Sequence, residues 1–382
     1  MSDFRNTIPL TLSFGLELKE EEKQKVLSLM RLQSSSIRVA HNMLKEGKNS
    51  QEIYHRIRSL FPSLPTRYIP SAIIKASQYP KDKTVIFGGK TLFEKLCKNH
   101  LQGKKRQKLK EEWREKRQGI LISVGVGNEQ EKGNRLLRFV DTDGRLFLRI
   151  TTGNREFIHA KVLRRPSNEK DKWNTFLSML FSSWNTKVYF PYTVELKLKD
   201  GKIYGFVSFG YPKPEIWLTK EHGVIAVDTN AIPLHLAIAE VSRDGNLLSY
   251  QTISLHELIK LSKNKKGHQE WLIAHKIIEI AKQKEKAIAI EDLKKIKKGC
   301  RGDGKAKLRR KLHYWNFKSL LSKIERIAKL SGIEIIKVNP AYTSVIGSLK
   351  YAPQLGIDKD IAGAYVIGRR ALGFKENIPK NY

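Results

Sequence analysis

From residue 219 the apolar runs read as three strands in a meander, then helix, strand, helix, strand and helix. That order predicts an α/β domain of RNase H type over residues 219–382. Residues 118–218 carry short alternating runs broken by Asp-Gly turns, which predicts a β-barrel or sheet domain, and residues 19–117 carry helical periodicity. A formal net charge of +34 on 382 residues, 72 Lys+Arg against 38 Asp+Glu, adds a requirement for a polyanionic partner.

Taken in order, Ile8–Leu16 alternates and reads as a strand. Residues 19–46 place Val26, Leu27, Met30, Ile37, Ala40 and Met43 at helical spacing, and helical segments interrupted by Pro62, Pro65 and Pro70 continue to about residue 117. Strands are expected at Ile120–Val124, Leu136–Val140, Leu146–Ile150, Lys187–Phe190 and Thr193–Leu198, the last turning at Asp200-Gly201 into Ile203–Ser208. Gly223–Asp228 reads as a buried strand ending in a carboxylate, followed by His235–Val241 and, after Asp244-Gly245, Leu247–Ile253. A helix over 268–284, strand Ala287–Glu291, a helix over 315–331 stopped by Gly332, strand Ile333–Val338 and a helix from Asp358 to Leu372 complete the chain.

At 40% hydrophobic residues the chain can build cores, so a disordered basic tail is excluded. No apolar run reaches the ~18 residues of a spanning helix, and Met1-Ser-Asp-Phe-Arg does not read as a signal peptide, so a soluble cytoplasmic protein is expected. Two cysteines, Cys97 and Cys300, exclude a disulfide framework. The charge concentrates in two stretches: Lys104, Lys105, Arg106, Lys108, Lys110, Arg114, Lys116 and Arg117 around Trp113; and Lys294, Lys295, Lys297, Lys298, Arg301, Lys305, Lys307, Arg309, Arg310 and Lys311 before Tyr314, Trp315 and Phe317. Such stretches suit backbone tracking of nucleic acid, with neighbouring aromatics available for base stacking or for the core. Residues 294–311 are expected to form a lid that admits a strand to the carboxylates.

Asp228 and Glu291 end strands that would lie side by side, and Asp360 falls in the first turn of the last helix, where Ala362, Gly363 and Ala364 permit close approach to the sheet. Three gathered carboxylates repel one another unless a hard divalent cation neutralises them, which points to Mg²⁺ or Mn²⁺ and, with two ions, to in-line phosphodiester hydrolysis. Asp358, a natural helix N-cap, competes with Asp360 for the third position.

Three segments resemble the nuclease motifs of TnpB, transposon-encoded RNA-guided DNA endonucleases related to type V CRISPR effectors: Val224-Ile-Ala-Val-Asp-Thr-Asn230, Ile288-Ala-Ile-Glu-Asp-Leu293 and Asp360-Ile-Ala-Gly-Ala-Tyr-Val-Ile-Gly-Arg-Arg370. Val338-Asn-Pro-Ala-Tyr-Thr-Ser344, ahead of the third, strengthens the likeness. The resemblance implies a RuvC nuclease domain at 219–382, a β-barrel wedge domain at 1–18 and 118–218, and a helical recognition insert at 19–117. It also implies a guide RNA, double-stranded target DNA beside a short adjacent motif, two Mg²⁺ ions, and catalytic and metal-binding roles for Asp228, Glu291 and Asp360. Between Ser344 and Asp358 the family commonly holds a four-cysteine zinc ribbon; here Val345–Asp358 has no cysteine, which is similar to the zinc-less, TnpB-related branch. Two other readings stand beside this one: a guided DNA binder that does not cut, and an unguided, resolvase-like RNase H-fold nuclease.

Gly299–Ala306 nearly fits a phosphate-binding loop but has Ala306 where the hydroxyl residue belongs, and Gly89-Lys90-Thr91 lacks the leading glycine. Gly125-Val-Gly127 is too short for a dinucleotide signal, and His222, His275 and His313 have no metal-ligand spacing.

Overall fold

A computed structural model describes residues 7–97, 102–153, 155–231, 234–293 and 318–377. In β1 (Thr7–Glu17) Ile8, Leu10, Leu12 and Phe14 turn inward while Pro9, Thr11 and Ser13 face solvent, the period-two pattern of a half-buried strand. Helix α1 (Glu20–Lys45) buries Val26, Leu29, Met30, Ile37 and Ala40. Asn49 caps α2 (Ser50–Leu60), accepting from the backbone of Gln51 and Glu52. Pro70 sits in the first turn of α3 (Tyr68–Ser77), where a missing N–H costs nothing. Then follow α4 (Lys90–Leu96), α5 (Gly103–Gln118), β2 (Ile120–Ser123), β3 (Leu137–Thr142), β4 (Arg145–Gly153), β5 (Glu156–Val162), α6 (Lys172–Thr186), β6 (Tyr192–Lys199) and β7 (Lys202–Pro212).

The seven strands form one sheet in the order β2-β6-β7-β1-β5-β4-β3, curled as a half-barrel. Its edges are not joined by a ladder. The fully buried Asn134 bridges them instead: its amide donates to the carbonyls of Ser123 and Tyr192, both at 2.9 Å, and its carbonyl oxygen accepts from Leu137 N at 2.9 Å. Replacing Asn134 by alanine strands these buried backbone groups. We expect a loss of about 3 kcal/mol, read as a lowered urea midpoint at unchanged slope.

Edge strand β2 is closed from the helical side. Gln33 of α1 accepts from Ile122 N at 2.6 Å and donates to Ile122 O at 2.8 Å, while Ser34 both accepts from and donates to the Ile120 backbone. Side chains thus take the place of a neighbouring strand, which blunts an edge that would otherwise recruit other chains. The helices and the sheet consequently share one core.

Two expectations need correction. Lys187–Phe190 is not a strand: Lys187 adopts φ +58° and ends α6, and the next residues make no ladder. Helix α6 itself was not anticipated, although Trp173, Phe176 and Leu180 recur at helical spacing and are buried against the sheet.

The chain divides into two compact units, Met1–Tyr211 and Pro212–Tyr382. The second comprises β8 (Val224–Ala231), β9 (Leu234–Val241), β10 (Leu247–Ser254), α7 (Glu257–Lys260), α8 (Lys263–Gln283), β11 (Ala287–Glu291), α9 (Lys318–Leu330), β12 (Ile335–Val338), α10 (Thr343–Ile346), a π-helical turn (Gly347–Tyr351), α11 (Ala352–Leu355) and α12 (Lys359–Ala371). Its sheet order is β10-β9-β8-β11-β12, antiparallel from β10 to β8 and parallel from β8 to β12. This is the RNase H-like arrangement expected from the element order.

The two faces of this sheet differ in size. Ile225, Val227, Leu236, Ile238, Ile288 and Ile290 meet α8 and α9. The opposite face offers Val224, Ala226, Ala237, Ala239, Ala287 and Ala289 to α12. Small side chains let α12 lie close: a Cβ built on Gly368 would fall 2.5 Å from Val241 Cγ2 and 3.2 Å from Ala226 Cβ. Among the described residues no helix is long and apolar enough to cross a membrane.

Candidate active site

The parallel ladder between β8 and β11 ends with Val227 opposite Ile290, so Asp228 and Glu291 follow at one level. Their alternation with Ala226 and Ala289 aims both at the α12 face. Asp228 does not end its strand as the sequence suggests. β8 runs on to Ala231 beside β9, with Asp228 opposite Ala237. The carboxylate therefore marks where β8 parts from β11 while its backbone stays held by β9.

Helix α12 begins with Asp358 as N-cap, whose side chain accepts from Asp360 N at 2.8 Å while remaining exposed. Asp360, in the first turn and half-buried, turns toward the sheet, and its Oδ2 lies 3.4 Å from Nε2 of His235 on β9. Gly363 passes so close to Asp228 that a Cβ there would fall 2.9 Å from Oδ2. The helix is held from its other side by Gly347, whose own built Cβ would lie 2.6 Å from Gly363 N.

A loop after β12 serves Glu291. Tyr342 takes the left-handed φ of +64°, turning the chain so that the Thr343 hydroxyl donates to Glu291 Oε1 at 2.6 Å. Arg370, near the end of α12, donates to the carbonyls of Asn339 and Ala341 at 2.7 and 2.6 Å, tying that loop to the helix.

These surroundings leave negative charge under-compensated. Burial, reinforced by Glu291 and further by Asp360, pushes Asp228 up to about 7, against the pull of the Thr229 N–H and the Asn230 side chain. Glu291 is raised by burial and eased back by Thr343 and Arg370. Asp360 is raised by burial and by Asp358, and eased back by His235 and Lys359. Among the described residues no three His, Cys, Asp or Glu side chains stand close enough to share one metal ion. Glu291 is held by Thr343 and Asp360 lies against His235, with Asp228 feeling both acids. The donor set is all oxygen and burial raises all three acids, which fits a hard divalent cation.

Three residues of this site had no assigned role in the sequence. Thr343 lay within the Asn-Pro-Ala-Tyr-Thr string, but nothing along the chain shows that it reaches Glu291. His235 becomes visible only through strand register, opposite Asn230. Arg370 reads as an ordinary helix-end cation.

Lys104, Lys105 and Arg106 lie exposed on the first turn of α5, a helix with no buried residue. Trp113 is occupied by packing, with the Arg117 guanidinium 4.9 Å above its ring and Phe93 at 6.0 Å. Lys294, Lys295, Lys297, Lys298, Arg301, Arg309 and Arg310, the expected lid at 294–311, Cys300, His313, Trp315 and Phe317 lie outside the described residues.

An RNase H-like sheet with two acids on one face and a third on the helix that covers it, in a chain that begins with a half-barrel packed with helices, also describes a known architecture. The structure of Cas12f1 in complex with sgRNA and target DNA is similar at a TM-score of 0.52 and 13% identity, covering 95% of this chain and 99% of that one. At that identity the likeness is one of fold. The T. thermophilus RuvC structure with a Holliday junction substrate aligns at a TM-score of 0.25 and 15% identity, covering 39% of this chain and 96% of that one. No curated protein matches the sequence. The sequence model of a family described as the SSO2105 N-terminal domain matches residues 9–223, and the chain belongs to that family. The matched stretch stops before Asp228, so the three acids lie outside it.

Proposed function

We propose that the chain is an RNA-guided, divalent-metal-dependent DNA endonuclease of the TnpB-related kind, of transposon origin, cutting at Asp228, Glu291 and Asp360. The observation that carries this reading is Asp228, buried on the sheet face that α12 covers and raised to about 7 by burial and then by Glu291 and Asp360. The fold likeness to Cas12f1 and the surplus of cations support it. On this reading residues 219–382 act as the RuvC-like nuclease, 1–18 and 118–218 as the wedge, and 19–117 as the recognition insert. The partners are a guide RNA and double-stranded DNA beside a short adjacent motif.

Asp228, Glu291 and Asp360 would hold two Mg²⁺ ions, or Mn²⁺ in their place. Bound there, they would supply hard positive charge that activates water and offsets charge on the leaving 3′-oxygen. The net reaction adds water at phosphorus and breaks the P–O3′ bond, leaving a 5′-phosphate and a 3′-hydroxyl. The chain's own contribution is positional. β8 and β9 fix Asp228, the first turn of α12 delivers Asp360 against His235, and the Thr343 hydroxyl sets the rotamer of Glu291.

Thr343→Val removes that hydroxyl at nearly constant volume. Cleavage should fall about 10–100-fold, the usual cost of losing a partner that orients a ligating carboxylate, while guide binding is retained. The deciding experiment purifies the protein from its own locus, sequences co-purifying RNA, and compares cleavage by wild type and Asp228→Asn with and without Mg²⁺. Metal-dependent cutting that requires the RNA and disappears in the variant supports the proposal. RNA without cutting favours a guided binder, and cutting without RNA favours an unguided nuclease.

A further inference from the structure

A second charged site lies wholly within the first unit. On β3 and β4 the register places Arg138 directly opposite Arg149 on the side of the sheet facing away from the core, whereas Leu137, Phe139, Leu148 and Ile150 face inward. Like charges at directly opposed strand positions destabilise a sheet. These two are joined by Arg135 and Arg155 around a cleft of about 730 Å³ that also reaches Phe157 on β5.

The fold does little to neutralise them. Glu131 lies 3.5 Å from Arg135 and 3.8 Å from Arg67. Among the described residues no carboxylate comes within ion-pair distance of Arg138, Arg149 or Arg155. Arg149 Nη2 donates to the Arg135 carbonyl at 3.2 Å, but its Nε is buried with no protein acceptor. The guanidinium lies 4.3 Å over the ring of Phe157, which is 45% exposed, a large apolar side chain left in solvent beside stacked cations. Cations pressed together in a concave site, one with an unused donor, have the chemistry of an anion receptor. An exposed ring in the same cleft adds a surface for an unpaired base, because a base inside a duplex has no free π-face to offer.

We propose that the outward face of β3–β5 binds an unpaired nucleotide of a single nucleic-acid strand. Its phosphate sits among Arg138, Arg149 and Arg155, and its base stacks on the Phe157–Arg149 pair. Binding there does not depend on the chemistry of the carboxylates.

The test uses the full chain carrying Asp228→Asn, freed of nucleic acid in high salt, so that hydrolysis plays no part. Fluorescence polarisation compares a labelled 12-nucleotide single strand, in RNA and DNA forms, with a 12-base-pair duplex. Phe157→Leu should weaken the single strand roughly tenfold and leave the duplex unchanged. Arg138→Gln should weaken single-strand binding and lower its logarithmic salt slope by about one. Without nucleic acid, Arg138→Gln should melt at or above the parent temperature, because it relieves the opposed charges. A purely structural arginine would instead lower that temperature. Unchanged single-strand affinity in both variants, or equal loss for duplex and single strand in Phe157→Leu, would overturn the proposal. A preference between the RNA and DNA strands identifies which source fills the site.

Discussion

Asp228→Asn should abolish metal-dependent cleavage, by on the order of 10³-fold or more, and at the same time stabilise the metal-free protein at neutral pH. Both effects come from one charge. The side chain is buried, its folded pKa is about 7 against an ordinary 3.8, and the causes are lost hydration and the nearby Glu291 and Asp360. A carboxyl raised in this way holds its proton more tightly in the folded than in the unfolded chain. Below about pH 4 both states are protonated and the site carries no penalty. As pH rises from about 4 to about 7 the unfolded state ionises first, and folding stability falls. Above about 7 the loss is complete, on the order of 4 kcal/mol. Glu291 and Asp360 shift in the same direction and steepen this decline.

Urea melts of the metal-free protein across pH 4–8 should therefore show wild type losing stability toward neutrality and Asp228→Asn losing much less. Mg²⁺ at pH 7.5 should raise the melting temperature of wild type and have little effect on the variant, since a ligand bound only to the folded state stabilises by mass action. A variant with the same pH slope and the same Mg²⁺ response as wild type would mean that Asp228 is not the charge that the cation relieves.

The residues that were legible in the sequence are those whose placement follows from local pattern. Val224–Val227 and Ala287–Ile290 are continuous apolar runs, so their strands and the acids that follow could be read directly. The small residues Ala362, Gly363 and Ala364 foretold a helix lying close to the sheet. What stayed hidden depends on register or on a long return of the chain. Arg138 and Arg149 look like unrelated surface cations until β3 and β4 are paired, and His235 gains meaning only from facing Asp360. Thr343 and Glu291 are brought together by the turn at Tyr342, a non-glycine residue in left-handed conformation that no propensity favours. Asn134, which ties the half-barrel edges, carried no signal beyond an ordinary turn residue.

The tight seat of α12 leads to the second large expected effect. In an exposed helix Gly→Ala gains about 1 kcal/mol. At Gly363 the added methyl would fall 2.9 Å from Asp228 Oδ2, too close to be tolerated without movement. Gly347 abuts the helix backbone at Gly363 N and restrains its retreat, while Gly368 already packs against Val241 on the sheet side. The carboxylate is the softest element there, so Asp228 should rotate away. Gly363→Ala should then remain folded, with stability within about 2 kcal/mol of wild type. Its cleavage should drop by about 10²-fold, the penalty for displacing a reacting group by roughly an ångström. Gly267→Ala on α8 provides the control: a Cβ there meets nothing within 4 Å, so helix propensity should add stability and leave cleavage untouched. Full activity in folded Gly363→Ala would show that the position of Asp228 against α12 does not govern the reaction. Loss of activity together with Mg²⁺-induced stabilisation would instead place the defect in geometry and leave ion binding intact.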